Sequence, residues 1–378
     1  MPRWPDEHRR RRRLPWPLRL AIILFVCALF LPSVVGWTRG AVQCRIFGGE
    51  AGAREGTLPA GSEIRPEEQT YLTLPEWYIV YSADEYAAYL ANNRPSGFPY
   101  FQAVGQFWQA YYDVCTVTRD RYPFNFDTQL MLAVIGVSFT AENVFKGIYE
   151  NTIGRLSEWS ASGQPTPEEL YGRQVAAEYG TFLHTVPWYE FPFWAKIGPL
   201  WSSTPAEPDV VRKVERRLAL TLEYGVKAGY GWAIKQAAGS VYDAEKPEIM
   251  ALAEGVTPEL DEREPELRIV DVPEGQPARV ALPRYEAFTK LVPRLVEQDV
   301  RFAEIAGNDE IMITVLAPRE WRWSPSAGTQ LFTMPILTQP DRARVAVRVP
   351  VDALHTVILD LARLSNSNAV TLEHIYDY

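Results

Sequence analysis

The chain has 378 residues, 47% hydrophobic and 22% charged. These ordinary globular values exclude a fully disordered, collagen-like or disulfide-rich chain, and the length allows roughly two or three domains. The net charge of −9 argues against nucleic acid as a partner of the body.

That charge is unevenly spread. Residues 1–19 carry seven Arg (Arg3, Arg9 to Arg13, Arg19) against Asp6 and Glu7, a net +5 that leaves −14 for the rest. Next comes Leu20 to Thr38, 19 residues without a charged side chain. As a helix it is ~28 Å long, close to the ~30 Å hydrocarbon core of a bilayer. Trp16 and Trp37 flank it, as interfacial aromatics do. The run predicts a single transmembrane anchor over 20–38, with the basic tail 1–19 cytoplasmic and the body outside the cytoplasm. That space is the periplasm if the cell has two membranes. A cleaved signal peptide is the competing reading, although Val34-Val35-Gly36 before bulky Trp37 is a poor cleavage site. The 31 Arg against 7 Lys hint at a GC-rich bacterial genome.

Residues 39–69, rich in Gly, Glu and Pro, read as a flexible linker that lifts the body off the membrane. An extended segment, Tyr71 to Tyr81, follows. Ser82 and Glu85 form a capping-box pattern for a helix near 83–93. Further helices are expected at 98–118, at 128–159 behind Asp127, and at 167–184 behind Thr166-Pro167. The longest is expected at 209–238. The uncharged window from Thr128 to Ala141 suits a buried core helix, with membrane entry of 128–149 or 218–234 as alternatives. Gly225, Gly229 and Gly231 in the longest helix predict close approach by another helix. These elements make a helical, aromatic-rich domain over 70–243. Residues 71–201 hold 29 of the chain's 47 aromatics.

Residues 244–264 are acidic and Pro-rich and read as an interdomain linker. Over 265–378 the order is strand, helix, four strands, helix, strand. The four strands form hairpins around Gly307-Asn308 and between 331–337 and 342–349. The chain is therefore expected to be α+β, its C-terminal domain a sandwich resembling a ferredoxin-like plait with an extra hairpin.

Searches for chemistry return mostly negatives. No nucleophile elbow, phosphate loop, dinucleotide loop, H-E-x-x-H or paired C-x-x-C is present. A zinc site would need His184, His355 and His374 together, so no metal and no cofactor are expected. The richest stretch is 122–201. Glu142 and Glu150 lie ~80° apart on one helix, and His184 and Glu190 sit among aromatics, a combination that would suit acid–base chemistry. Trp188, Tyr189, Phe193, Trp194 and Trp201 could instead contact the membrane interface, form a core, or bind a protein. Arg342, Arg344 and Arg348 alternate with small apolar residues and define one sheet face, solvated by default, with an anion or acidic partner as the alternative. Cys44 and Cys115 would share an oxidising compartment and could pair, or remain free thiols. The preferred expectation is a membrane-anchored, non-catalytic envelope component that binds a partner protein or the membrane surface. The alternatives are a membrane-bound hydrolase using the Glu/His set and an apolar-ligand binder.

Overall fold

The computed structural model describes residues 16–46, 67–202, 209–241, 248–368 and 370–377. Most of the basic tail (1–15) and most of the expected linker (47–66) lie outside the described residues. The fold is α+β, with a helical bundle followed by two antiparallel four-stranded sheets.

Helix α1, Trp16–Gln43, contains the whole apolar run. Its C-terminal half is docked on the body, with Ser33 and Ala41 buried. Gly36 and Gly40 let α1 approach closely, because a Cβ on either would overlap the rings of Trp108 and Tyr111. Trp37 Nε1 donates to the Gln129 carbonyl at 3.3 Å. Cys44 and Cys115 form a disulfide, Cα–Cα 4.5 Å. The part of the expected linker that is described therefore lifts nothing. Residues 39–46 finish α1 and its docked turn, and 67–69 begin the next helix.

Helix α2, Glu67–Asn92, absorbs both the expected strand at 71–81 and the helix expected at 83–93. It is the central helix and is buried almost all round, so its sequence carries no one-sided 3.6-residue pattern to compete with its β-favouring Tyr, Ile, Val and Thr. Ser82 is a mid-helix residue, not a cap. Helix α3, Tyr100–Thr118, is expected from spacing to carry an apolar stripe of Phe101, Val104, Phe107, Trp108, Tyr111 and Tyr112; Val104, Phe107, Trp108 and Tyr111 are buried, Tyr112 is half-buried and Phe101 is exposed. Helix α4, Phe126–Tyr149, continues through a π turn at Glu150–Gly154 into α5, Arg155–Trp159. Its N-cap is Asn125, which accepts from Thr128 N, and not Asp127. The capping box of α6, Pro167–Leu183, is present in full. Thr166 Oγ1 accepts from Glu169 N, and the Glu169 carboxylate accepts from Thr166 N. Helices α7, Phe193–Ser202, and α8, Val210–Val241, complete the bundle.

Residues 248–263, expected in a linker, form strand β1, Glu248–Glu254, and helix α9, Pro258–Arg263. The acidic, Pro-rich composition hides a strand here: Ile249, Ala251 and Ala253 alternate into the core of a sheet. Strands β2, Arg268–Asp271, β3, Ala278–Pro283, and β4, Arg301–Ile305, complete that sheet in the order β2-β3-β1-β4. The second sheet holds β5, Glu310–Pro318, β6, Thr329–Ile336, β7, Gln339–Pro350, and β8, Thr371–Ile375, in the order β6-β7-β5-β8. Helices α10, Tyr285–Glu297, and α11, Leu354–Asn368, share one hydrophobic core with both sheets.

Two expectations change. A single plait-like sheet is replaced by two sheets, and the hairpin around Gly307-Asn308 does not form. There β4 pairs with β1 while β5 pairs with β7 and β8, so the turn carries the chain from one sheet to the other. The β6–β7 hairpin is present. The far face of the second sheet, with Met312, Met334, Ala346 and Tyr376, is not solvated but joins the core of α2 and α3.

Candidate functional site

Helices α4 and α8 pack through charges. Lys227 Nζ lies 2.8 Å from Glu142, Lys146 Nζ lies 2.8 Å from Glu223, and Arg216 lies 2.9 Å from Glu150. Further down the bundle, fully buried Arg212 reaches Glu169 at 2.7 Å and Glu158 at 3.0 Å. Lys213 and Arg217 both hold Glu168, at 2.7 and 2.8 Å. Glu223 and Lys227 are an i,i+4 pair as the spacing suggests, but they turn inward to α4.

The outward faces are the reverse. Along α8, Val211, Val214, Leu218, Leu222 and Val226 recur every three or four residues and are 48–63% exposed. No charged side chain is exposed from Val210 to Ile234. Along α4 the exposed side chains between Thr128 and Tyr149 are Leu130, Val134 and Phe145. The glycines expected to seat a neighbouring helix do not do so: a Cβ on Gly225 or Gly229 would meet open space, and only Gly231 abuts backbone, at Tyr189. The unbroken helix Phe126–Trp159 is long and apolar enough to cross a membrane by length and composition.

Between α2, α4, α6 and α8 lies a cavity of about 100 Å³. Its wall combines tyrosines with the ion pairs. Lys146 Nζ sits 4.5 Å from the Tyr86 ring centroid and Lys227 Nζ 4.6 Å from that of Tyr179. It is not the dry aromatic cavity that an apolar-ligand binder would need.

The four acid–base candidates are not gathered. Glu142 and Glu150 line this cavity, each held by a cation. Glu190 makes a half-exposed pair with Lys235 at 2.7 Å. His184 faces the α+β part, its Nε2 2.7 Å from Asp84 of α2 and its Nδ1 2.8 Å from Glu286 of α10. The hydrogen bond to Asp84 raises the His184 pKa, burial opposes it, and the Asp84 and Glu286 charges add to the rise. Both ring nitrogens then donate, so His184 is an imidazolium clasp between two carboxylates on two parts of the chain. Its neighbour His374 is the opposite case. Burial, then the charge on His184, push its pKa well down; its ring packs 3.6 Å from that of Trp77, and its Nε2 has no hydrogen-bond partner among the described residues. No group of three metal-ligating side chains occurs among the described residues.

The aromatic segment divides. Phe193 is buried with Phe191 and Tyr224, and Trp188 stacks on Tyr230 at 5.3 Å. Tyr189 backs onto Gly231. Trp194 is 74% exposed, and Trp201, 48% exposed, donates to Thr221 of α8. The arginine face also departs from expectation. Arg344 is buried, forked onto Glu373 at 2.6 and 2.7 Å, 3.3 Å from Glu85 of α2, and stacked on Tyr81 at 3.8 Å. Arg348 lies 3.7 Å from Glu310, and Arg342 is also partnered. Arg344 and Arg348 of this face are held by the protein's own carboxylates, on β5, β8 and α2, because the sheet lies against the bundle.

Sequence reading missed Asp84, Glu286 and the α8 arginines. Asp84 and Glu286 sit far apart in the chain and carry no local pattern. The periodic Arg and Glu of 212–217 read equally well as a solvated helix face. The chain matched no protein family, no curated protein and no solved structure.

Proposed function

We propose that this protein is a membrane-anchored extracytoplasmic component with a cytoplasmic N-terminus, of bacterial envelope type, acting by contact with the membrane surface or a protein partner and not by catalysis. The observation that carries the reading is the Cys44–Cys115 disulfide at the end of the apolar helix. Disulfides persist in oxidising compartments. The Arg-rich tail before the same helix argues independently for that orientation. The docked second half of α1 makes the joint between anchor and body rigid.

The hydrolase reading has less support, because its four candidate residues are paired separately and one faces another part of the fold. The apolar-ligand reading also has less support, because the cavity between α2, α4, α6 and α8 is lined by ion pairs.

The test is alkylation of the protein in intact cells together with a reporter fused after Tyr378. Cys44 and Cys115 should resist alkylation until reduced, and a reporter that works only outside the cytoplasm should be active. A reporter active only in the cytoplasm, or two free thiols in protein from cells, would overturn the orientation.

A further inference from the structure

We infer that the outer faces of α4 and α8 form a lipid-contacting surface on which the body lies along the bilayer. The inference rests on the anchored reading above. Its basis is an inverted distribution of polarity. A surface helix in water turns its charges outward and its apolar stripe inward. Here Glu142, Lys146, Arg216, Glu223 and Lys227 turn inward to pair, and the valine and leucine stripe of α8 turns outward. Soluble monomers rarely expose contiguous apolar patches of this extent. From Val211 to Ala233 the stripe runs ~33 Å at ~1.5 Å per residue. Polar side chains on α4 and its π turn, although Asn151 and Thr152 stay exposed, hydrogen-bond within the protein. Ser138 bonds Tyr230, and Asn151 and Thr152 bond back to the helix backbone.

Three further features favour lipid as the occupant. The apolar helix α1 packs on α4 itself, so the surface is held beside the point of membrane attachment. Trp159, Trp194, Trp201 and Trp232 are 82, 74, 48 and 67% exposed on α5, α7 and α8, as interfacial tryptophans are. The α+β part lies across the bundle, on α2 and α3, where it can remain in water. That last feature also selects an in-plane setting over a span. The sheets accompany α2 from Thr70 to Glu85, more than half its length, and a spanning bundle would carry them into hydrocarbon. In-plane helices bury their apolar faces ~5–10 Å deep. Pro32 lies inside α1 where its docked half begins, and a bend at this proline would let the N-terminal half enter the bilayer.

The experiment places spin labels on the full-length protein in vesicles of phosphatidylethanolamine and phosphatidylglycerol, at Val134→Cys, Leu222→Cys and Val226→Cys in a Cys27→Ser background. Glu262→Cys on α9 is the water-exposed reference. Collision with oxygen, which partitions into lipid, should exceed collision with a water-soluble nickel chelate several-fold at the three stripe positions, and the ratio should reverse at position 262. If the protein resists an alkaline wash but the stripe labels meet the chelate as freely as the reference, the lipid surface is refuted while the anchor stands. Stripe labels immobilised and shielded from both reagents mean a protein, such as a second copy, covers the face, and this too refutes it. Release of the protein by the wash defeats the anchored reading itself.

Discussion

Replacing Arg344 by alanine is expected to cost about 3–5 kcal/mol, the range for breaking a buried ion pair by removing one partner. The structure places it at the upper end. Arg344 is 4% exposed at its side chain, and its removal strands two carboxylates that are themselves only 12% and 10% exposed, Glu373 and Glu85. The cation–π contact with Tyr81, worth ~2 kcal/mol when desolvated, is lost by the same truncation and overlaps this figure. Burial, outweighing Arg344, already holds Glu85 above the usual carboxylate range. Without Arg344 the Glu85 carboxylate should protonate still more readily, so the deficit should shrink in acid. The assay is equilibrium urea unfolding of the full chain in detergent micelles. Arg344→Lys keeps the charge but not the fork, and should cost less. The triple variant Arg344→Met, Glu85→Gln, Glu373→Gln leaves no buried charge and should recover most of the loss. A loss below ~1 kcal/mol for Arg344→Ala, the range of an exposed pair, would refute the reasoning. So would a triple variant no more stable than Arg344→Ala.

Gly40→Leu should destabilise by about 1–3 kcal/mol through overpacking, because its Cβ would overlap Tyr111, whereas Gly105→Leu, with open space at its Cβ, should be tolerated in the same unfolding measurement. Reducing the disulfide, which links residues 71 apart, removes a chain-entropy contribution of up to about 4 kcal/mol, read as a lower melting temperature with reductant. The His184 clasp sets an alkaline limit. Its folded pKa lies above the ordinary 6.5, so its contribution is complete below about pH 6.5 and is lost as pH rises through the folded value. His374 sets an acid limit, since its folded pKa is well below 6.5 and the unfolded chain takes up a proton that the folded one refuses. Stability against pH should therefore peak near neutrality, and His184→Gln should flatten the alkaline side and, by removing a charge that lowers the His374 pKa, also soften the acid side.

Much of the secondary structure was legible because its signals are local. The Thr166-Pro167 start of α6, the one-sided stripe of α3 and the alternation in β7 each depend on a few neighbouring residues, and each appears in the structure. The misreadings fall where tertiary burial outweighs local preference. Helix α2 is buried almost all round and loses its periodic signal, and β1 is a strand hidden in an acidic, Pro-rich stretch. The hairpin at Gly307-Asn308 fails because turn chemistry fixes the turn but not the partner strand.

The same division holds for the site. By itself the sequence determined an uncharged 19-residue run behind a +5 tail, and a concentration of aromatics in the helical part, because composition and charge need no partner to be read. It also determined which residues of β7 share a face. What each face meets was decided only by the tertiary structure. Arg344 and its neighbours turn onto the bundle, and the charges of α8 turn inward and leave its valines outside. Periodicity sorts residues into two sets, but which set faces the interior depends on how distant segments pack.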